Sequence, residues 1–327
     1  MRRVTHIWKA VVSIVAFDGG RPPWRLLRAV ESAPREWVLT RMTMAGGVFA
    51  WDAELMAMPD RTSRGDRAVW SRLGAVALAL WWATGFFGVI DLLVGITPLE
   101  FPGFEPFVVV ETSWGLLFTA LVPMPLIAWA VRPVGWVGPQ VLAVAAAVMV
   151  AGIAATAWGQ VLVAVLVAAC AGFPRMWRPR PDLSIRRVAL SRPFWPVDAL
   201  VVVGLTAAVV HAWDVLATAR TGVKDDDTWY LMHLPMQAGF ALAVPAAAAV
   251  AVLAMANGVA NWWFAIVPPA ASAAWFGIVC ASHPALLGSV GAAAGWCTTA
   301  WGMAIAVAVW ATGYAQDRAH VTRMITA

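Results

Sequence analysis

Residues 231–256 read LMHLPMQAGFALAVPAAAAVAVLAMA, twenty-six residues in a row without an aspartate, glutamate, lysine or arginine. As an α-helix this run is about 39 Å long, enough to cross the roughly 30 Å of hydrocarbon in a bilayer. The run therefore predicts a transmembrane helix. Seven more candidates of this kind lie around it, at 73–96, 107–131, 136–156, 158–174, 197–217, 261–280 and 285–314. The third and fourth are separated by a very short link at Trp158 and Gly159.

The whole chain agrees. Of 327 residues 61% are hydrophobic and only 13% charged, and the mean hydropathy is +0.73. A soluble domain carries about 25% charged residues, so this is an all-α integral membrane protein with eight transmembrane helices. Gly 26, Pro 21 and Cys 3 exclude a collagen-like fibre, a low-complexity chain and a disulfide scaffold.

An even number of spans places both ends on one side, and the basic residues say which. Residues 1–72 hold twelve Lys or Arg, Arg132 adds one, the loop 175–192 six and the tail two, against only Arg220 and Lys224 on the opposite side. By the positive-inside rule both termini are cytoplasmic, in a plasma (inner) membrane. The outward loops are acidic, with Glu100, Glu105 and the run Asp225, Asp226, Asp227. Lys9 and Lys224 are the only lysines against twenty-one arginines, a bias that points to a GC-rich genome more than to a nucleic-acid surface.

Before the first span, Val4, Ile7, Trp8, Val11, Val12 and Val15 fall on one helical face opposite Thr5, Lys9 and Ser13. A second helical stretch, about 36–58, carries Arg41, Asp52 and Glu54 and is too polar to span. These N-terminal amphipathic helices are expected on the inner leaflet, a cleavable leader being disfavoured by the short apolar stretch. The expected organisation is an interfacial segment 1–71, a membrane half 72–174, a basic linker 175–196, a second membrane half 197–315 and a tail 316–327.

The two halves resemble one another. Span one closes with Asp91 after an apolar run and span five with Asp214, while span two reads FTALVP from Phe118 to Pro123 and span six FALAVP from Phe240 to Pro245. Asp to Pro is 32 residues in the first half and 31 in the second. With four spans in each, the halves would be parallel repeats about an axis along the membrane normal.

Ionisable groups within spans are costly and mark functional sites by default. Asp91, Glu111, His211, Asp214, His233 and His283 all fall within a turn or two of the outer interface, where simple solvation by headgroups and water is the bland alternative. Three functional readings follow. Asp91, Glu111 and Asp214 at an acidic mouth, with Pro123 and Pro245 breaking helices in matching positions, suggest translocation of a small cationic or neutral solute. His211 and Asp214 on one helical face, with His233 and His283 opening spans six and eight, could instead hold zinc, copper or iron, or a b-type haem in an oxidoreductase. The amphipathic residues 1–71 would suit an accessory or scaffold subunit that docks a protein partner.

Other chemistry is excluded. No lysine lies in an apolar run, so no membrane Schiff base is available, and Cys170, Cys280 and Cys297 form no CxxC pair. Nucleophile-elbow, P-loop, dinucleotide and zincin motifs are missing from the sequence, which leans away from an enzyme. Gly291 to Gly295 forms a small-residue helix face for close packing, and Trp114, Trp136, Trp158, Trp195, Trp229, Trp262 and Trp263 are placed as an aromatic belt at span ends.

Overall fold

The structure, a computed structural model, describes residues 61–97, 105–177, 195–228 and 230–326. The amphipathic helices expected at 4–15 and 36–58, the acidic residue Glu100, Trp229 and most of the basic linker lie outside the described residues. From Ser63 onward the chain forms one unit.

The described chain is helical almost throughout, as a bilayer requires: only intrahelical bonds satisfy every backbone N–H and C=O away from water. In order the helices are α1 (Arg61–Gly85), α2 (Gly88–Ile96), α3 (Val108–Leu116), α4 (Pro123–Val131), α5 (Val137–Ala154), α6 (Trp158–Trp177), α7 (Trp195–Arg220), α8 (His233–Ala256), α9 (Trp262–Ala265), α10 (Val267–Ser282) and α11 (Ala292–Thr326). The only strands among the described residues are β1 (Asp227–Thr228) and β2 (Leu231–Met232), an antiparallel pair that turns the chain from α7 into α8.

Six elements are long and apolar enough to cross a membrane: Glu105–Val131, Val137–Ala154, Trp195–Arg220, His233–Ala256, Trp262–Ser282 and Ala292–Gln316. The bent pair α1 and α2 makes a seventh if it counts as one span, and the apolar part of α6, Trp158–Gly172, is shorter. The bend of 53° follows from Phe87, whose φ of 58° is a left-handed conformation that ends α1 and caps α2. The break leaves Phe86 C=O outside the helical ladder, and the indole N–H of Trp114 donates to it at 2.7 Å.

Two of the three proline sites fall at interruptions within longer spans. Pro123 starts α4 after a π-turn at Leu117–Leu121, and Pro268 and Pro269 occupy the first turn of α10, positions where no intrahelical N–H is needed. Pro245 sits inside a continuous helix, α8.

Helices α8 and α3 are central and almost wholly buried, whereas α7 and α11 present Val202, Val209, Trp213, Met303 and Val307 outward, as lipid-facing helices do. Helix α8 packs on α5, α7 and α3, while α10 packs on α11, α3 and the π-turn. Close backbone approach is fixed by glycines. A Cβ on Gly115 would collide with the backbone of Asp91 and Leu92, one on Gly95 with Thr112, and one on Gly88 would lie 2.8 Å from the Phe118 Cβ. These three glycines clamp α2 against the span that contains α3.

Candidate cation site at one end of the helices

The clamp between α2 and α3 carries Asp91 inward. Gly88, Asp91 and Gly95 follow a three-and-four spacing, so they share one face of α2, and that face meets Glu111, Thr112 and Gly115 of α3. Asp91 is 5% exposed and Glu111 1%, and their carboxyls lie within hydrogen-bonding reach of one another. Two carboxylates are both acceptors, so this contact requires a shared proton or a cation.

His233, the first residue of α8, meets the pair from the other side. Its Nδ1 lies 2.9 Å from Glu111 Oε1, both side chains being buried. Neither atom has a further hydrogen-bond partner, so the two face only each other inside the protein. The other ring nitrogen, Nε2, is 2.9 Å from the Thr228 hydroxyl, and Trp114 stacks on the imidazole at 4.4 Å between ring centroids. Position and orientation of the ring are thus fixed on three sides.

A third carboxylate arrives from the hairpin. Asp226 C=O accepts the His233 N–H at 3.1 Å, and the Asp226 side chain, half-buried, comes within 4.8 Å of both Glu111 and His233 ligand atoms. The loop that delivers it is held by its neighbours. Asp225 Oδ1 accepts the Asp226 N–H at 2.9 Å, and Asp225 Oδ2 accepts the Leu234 N–H at 2.8 Å in the open first turn of α8. Burial pushes the Asp225 carboxyl above the usual aspartate range, against the pull of these N–H donors.

Glu111, Asp226 and His233 form the group of metal-competent side chains found among the described residues. Two atoms bound to one ion at about 2.1 Å stand about 3.0 Å apart at right angles and about 3.4 Å apart in a tetrahedron, which matches the Glu111–His233 approach. Mixed carboxylate and imidazole donors suit zinc, manganese, iron or cobalt better than calcium. His233, with both nitrogens engaged and a tryptophan over its face, fits a compact ion better than a porphyrin.

The remaining residues nominated from the sequence are elsewhere. Asp214 is exposed on α7, and His211, half-buried one turn away, lines a separate cavity of about 590 Å³ with Pro245 and Trp301. His283 caps the end of α10 and is half-buried, its N–H bonded to Val279 C=O. Pro123 is buried at the start of α4. Trp114, placed in the aromatic belt by its position in the sequence, is 1% exposed and belongs to the site, because α3 enters the protein interior within its first turn. Asp226 and Thr228 were not nominated as site residues; the only signal for them was an acidic run seven residues ahead of His233.

Polar atoms without partners continue along the buried helices. Gln237 Oε1, Ser272 Oγ and Gln140 Oε1 are all sealed from solvent and accept or donate no bond, while the Gln140 amide donates to Ala247 and Ala265 C=O at 3.3 and 2.7 Å. Ala247 is fourteen residues from His233, about 21 Å along α8. No known family matches the chain, and neither a curated protein nor a solved structure matches it.

Proposed function

We propose that this membrane protein captures a small divalent transition-metal cation on the outer side of the membrane and passes it across the bilayer, with Asp91, Glu111, Asp226 and His233 as the entrance site. The observation that carries this reading is the convergence of Glu111 Oε1 and His233 Nδ1, 2.9 Å apart, with the Asp226 carboxylate in one largely buried pocket. Three carboxylates sharing one such pocket repel, and desolvation adds to the cost, unless protons or a cation neutralise them. A divalent ion supplies the counter-charge directly, and the exposed Asp227 and Lys224 show that the hairpin side of the pocket meets solvent.

Passage inward is supported by the unpartnered oxygens of Gln237, Ser272 and Gln140 at successive levels, and by the π-turn at Leu117–Leu121 below Glu111. π-turns interrupt the helical ladder and recur at functional sites. The membrane frame belongs to the same proposal: the six long helices, the bent α1–α2 pair and α6 together give eight spans, with both termini cytoplasmic in the plasma membrane by the charge bias.

A parallel repeat is supported by packing. Glu111 and His233, Phe118 and Phe240, and Pro123 and Pro245 are each 122 residues apart, and the first of these pairs is in direct contact. Under that alignment α8 against α5 corresponds to α3 against α10. The pseudo-twofold axis would then run between Glu111 and His233, where a bound ion would be held by both halves.

The test is metal content followed by flux. Plasma mass spectrometry on detergent-purified protein is expected to find near-stoichiometric zinc, manganese, iron or cobalt that Glu111→Gln and His233→Asn each remove. Reconstituted into liposomes, the protein is expected to accelerate uptake of that ion, and Glu111→Gln to abolish the acceleration. Metal bound without flux would favour a metal-binding membrane protein over a transporter. No metal and no flux would end both readings and turn attention to a partner docked through residues 1–71.

A further inference from the structure

We propose that the cavity between α7, α8, α10 and α11 is a second, separate site that takes a long-chain amine from the lipid phase. The cavity, about 590 Å³, is walled mostly by Val203, Ala207, Val244, Phe276, Val290 and Trp301, an apolar lining. Its flanks include the exposed residues Val203, Val210, Ala294 and Cys297, so it opens sideways between two helices whose outer faces are apolar. With these apolar faces turned to lipid, access would be from the membrane beside the charged Asp214, which selects for an amphiphile.

The polar groups are distributed unevenly along the cleft. Thr218, Thr298 and Ser289 hydroxyls already donate to Asp214, Ala294 and Cys280 C=O. What remains is the Asp214 carboxylate and, three residues earlier on the same helical face, His211, whose Nε2 is buried without a partner. A carboxylate accepts only, and the Nε2 of one neutral tautomer also accepts. A head group that donates several hydrogen bonds and carries positive charge pairs with the Asp214 carboxylate, as an alkylammonium does. A fatty acid would place like charge against Asp214, and an alkyl alcohol supplies one donor and no charge.

The chain has a matching berth. From Asp214 to Val203 is eleven residues, about 16 Å along α7 or the reach of roughly a dozen methylenes. The floor is closed by Trp301, whose ring lies where a Cβ on Gly204 would be and whose indole N–H donates to Leu200 C=O at 2.8 Å. The cavity thus has a polar head pocket at one end and a fixed apolar stop at the other.

Dodecylamine, dodecanol and dodecyltrimethylammonium, each titrated into protein purified in a maltoside detergent and followed by native mass spectrometry, test the idea. Dodecylamine is expected to bind at least tenfold tighter than the other two, because dodecanol lacks the charge and the trimethyl head lacks donors. Asp214→Asn is expected to erase that preference while leaving dodecanol unchanged, and Ala207→Phe to block all three. Asp214 is exposed, so the isosteric variant keeps its fold, and a melting curve verifies this. Equal binding of amine and alcohol, or an amine preference that survives Asp214→Asn, would overturn the proposal. The cation site enters none of these readouts, since its carboxylates lie on α2, α3 and the hairpin.

Discussion

Asp91 and Asp214 stand at the same place in two similar stretches of sequence, each after an apolar run and about as far from an FxxxxP-like segment, yet one is 5% exposed and the other lies on the surface. The difference is in their partners. Gly88, Gly95 and Gly115 let α2 lie directly on the span containing α3, and Asp91 is turned into the protein toward Glu111. On α7 the comparable freedom is used differently: Gly204 makes room for the Trp301 ring, and Asp214 lines a mostly apolar cavity. One aspartate has joined a polar cluster and the other an apolar cleft, so the packing of a helix decides what an acid does there more than the similarity of the surrounding sequence.

The largest expected effect breaks this contrast at the glycines. In Gly115→Ala the new Cβ meets backbone of Asp91 and Leu92, which cannot rotate away. Overpacking of this kind costs about 1–3 kcal/mol and would displace Asp91 from Glu111, so both melting temperature and bound metal should fall. Gly204→Ala meets only the Trp301 ring, a side chain at the edge of a cavity. It should melt closer to the parent and retain metal. Thermal unfolding in detergent, with metal counted on the same samples, checks both; equal damage from the two would mean that backbone contact is not what sets Asp91 apart.

Exchanging the acids sharpens the contrast without touching the helices. Glu111→Gln preserves shape and removes one charge from a buried carboxylate cluster, so metal affinity should drop by about 100-fold or more while the melting temperature holds or rises. Asp214→Asn should alter neither. Competition with a chromophoric chelator measures the first quantity, and a metal affinity that Asp214→Asn lowers as much would place the two aspartates in one site after all.

Thr228→Val acts one step further out. The Thr228 hydroxyl is the partner of His233 Nε2, and its loss leaves the ring held by Trp114 and Glu111 alone. Removing such an orienting bond costs roughly 1 kcal/mol in stability and about 10-fold to 100-fold in metal affinity. Thr228→Ser should restore most of the affinity, which a purely steric role for the methyl group would not allow.

How far these features were legible in the sequence differs from residue to residue. Composition and unbroken apolar runs were enough for a helical membrane protein, because hydrocarbon admits few other folds. The bend at Phe86 and Phe87 was not legible, since no proline marks it and the left-handed conformation falls on a phenylalanine. Prolines at 123, 268 and 269 pointed to mid-span breaks, and in the structure each opens a helical segment inside a longer span, Pro123 within Glu105–Val131 and Pro268 and Pro269 within Trp262–Ser282. Asp91, Glu111 and His233 stood out as ionisable groups in apolar runs, and all three are in the cluster. Asp226 did not, because its approach depends on a two-residue hairpin that no hydrophobic periodicity announces. His211 and His283 lie apart from the cluster, His211 beside a separate cavity and His283 just past the end of α10, and which side chains meet is set by packing across the bundle.

The smallest effect concerns the loop that separates the two environments. Asp225 is half-buried and its carboxyl is raised chiefly by desolvation, with Leu234 and Asp226 N–H groups pulling the other way. A folded-state value above the unfolded one means that the fold takes up a proton more readily than the unfolded chain. Its contribution to stability is therefore complete below about pH 4, the ordinary aspartate value, and is lost as pH rises through the raised folded value. Asp225→Asn keeps an oxygen for the Leu234 N–H, forfeits the second acceptor at every pH, and has no charge to desolvate. Relative to the parent, it should melt lowest in acid and recover as pH rises toward neutrality. The neighbouring side chains are the same in both proteins, so the difference between the two melting curves reports on Asp225. A constant offset across this range would mean that the loop leaves the Asp225 carboxylate as well hydrated as it is in the unfolded chain, and that the hairpin is held by its backbone bonds alone.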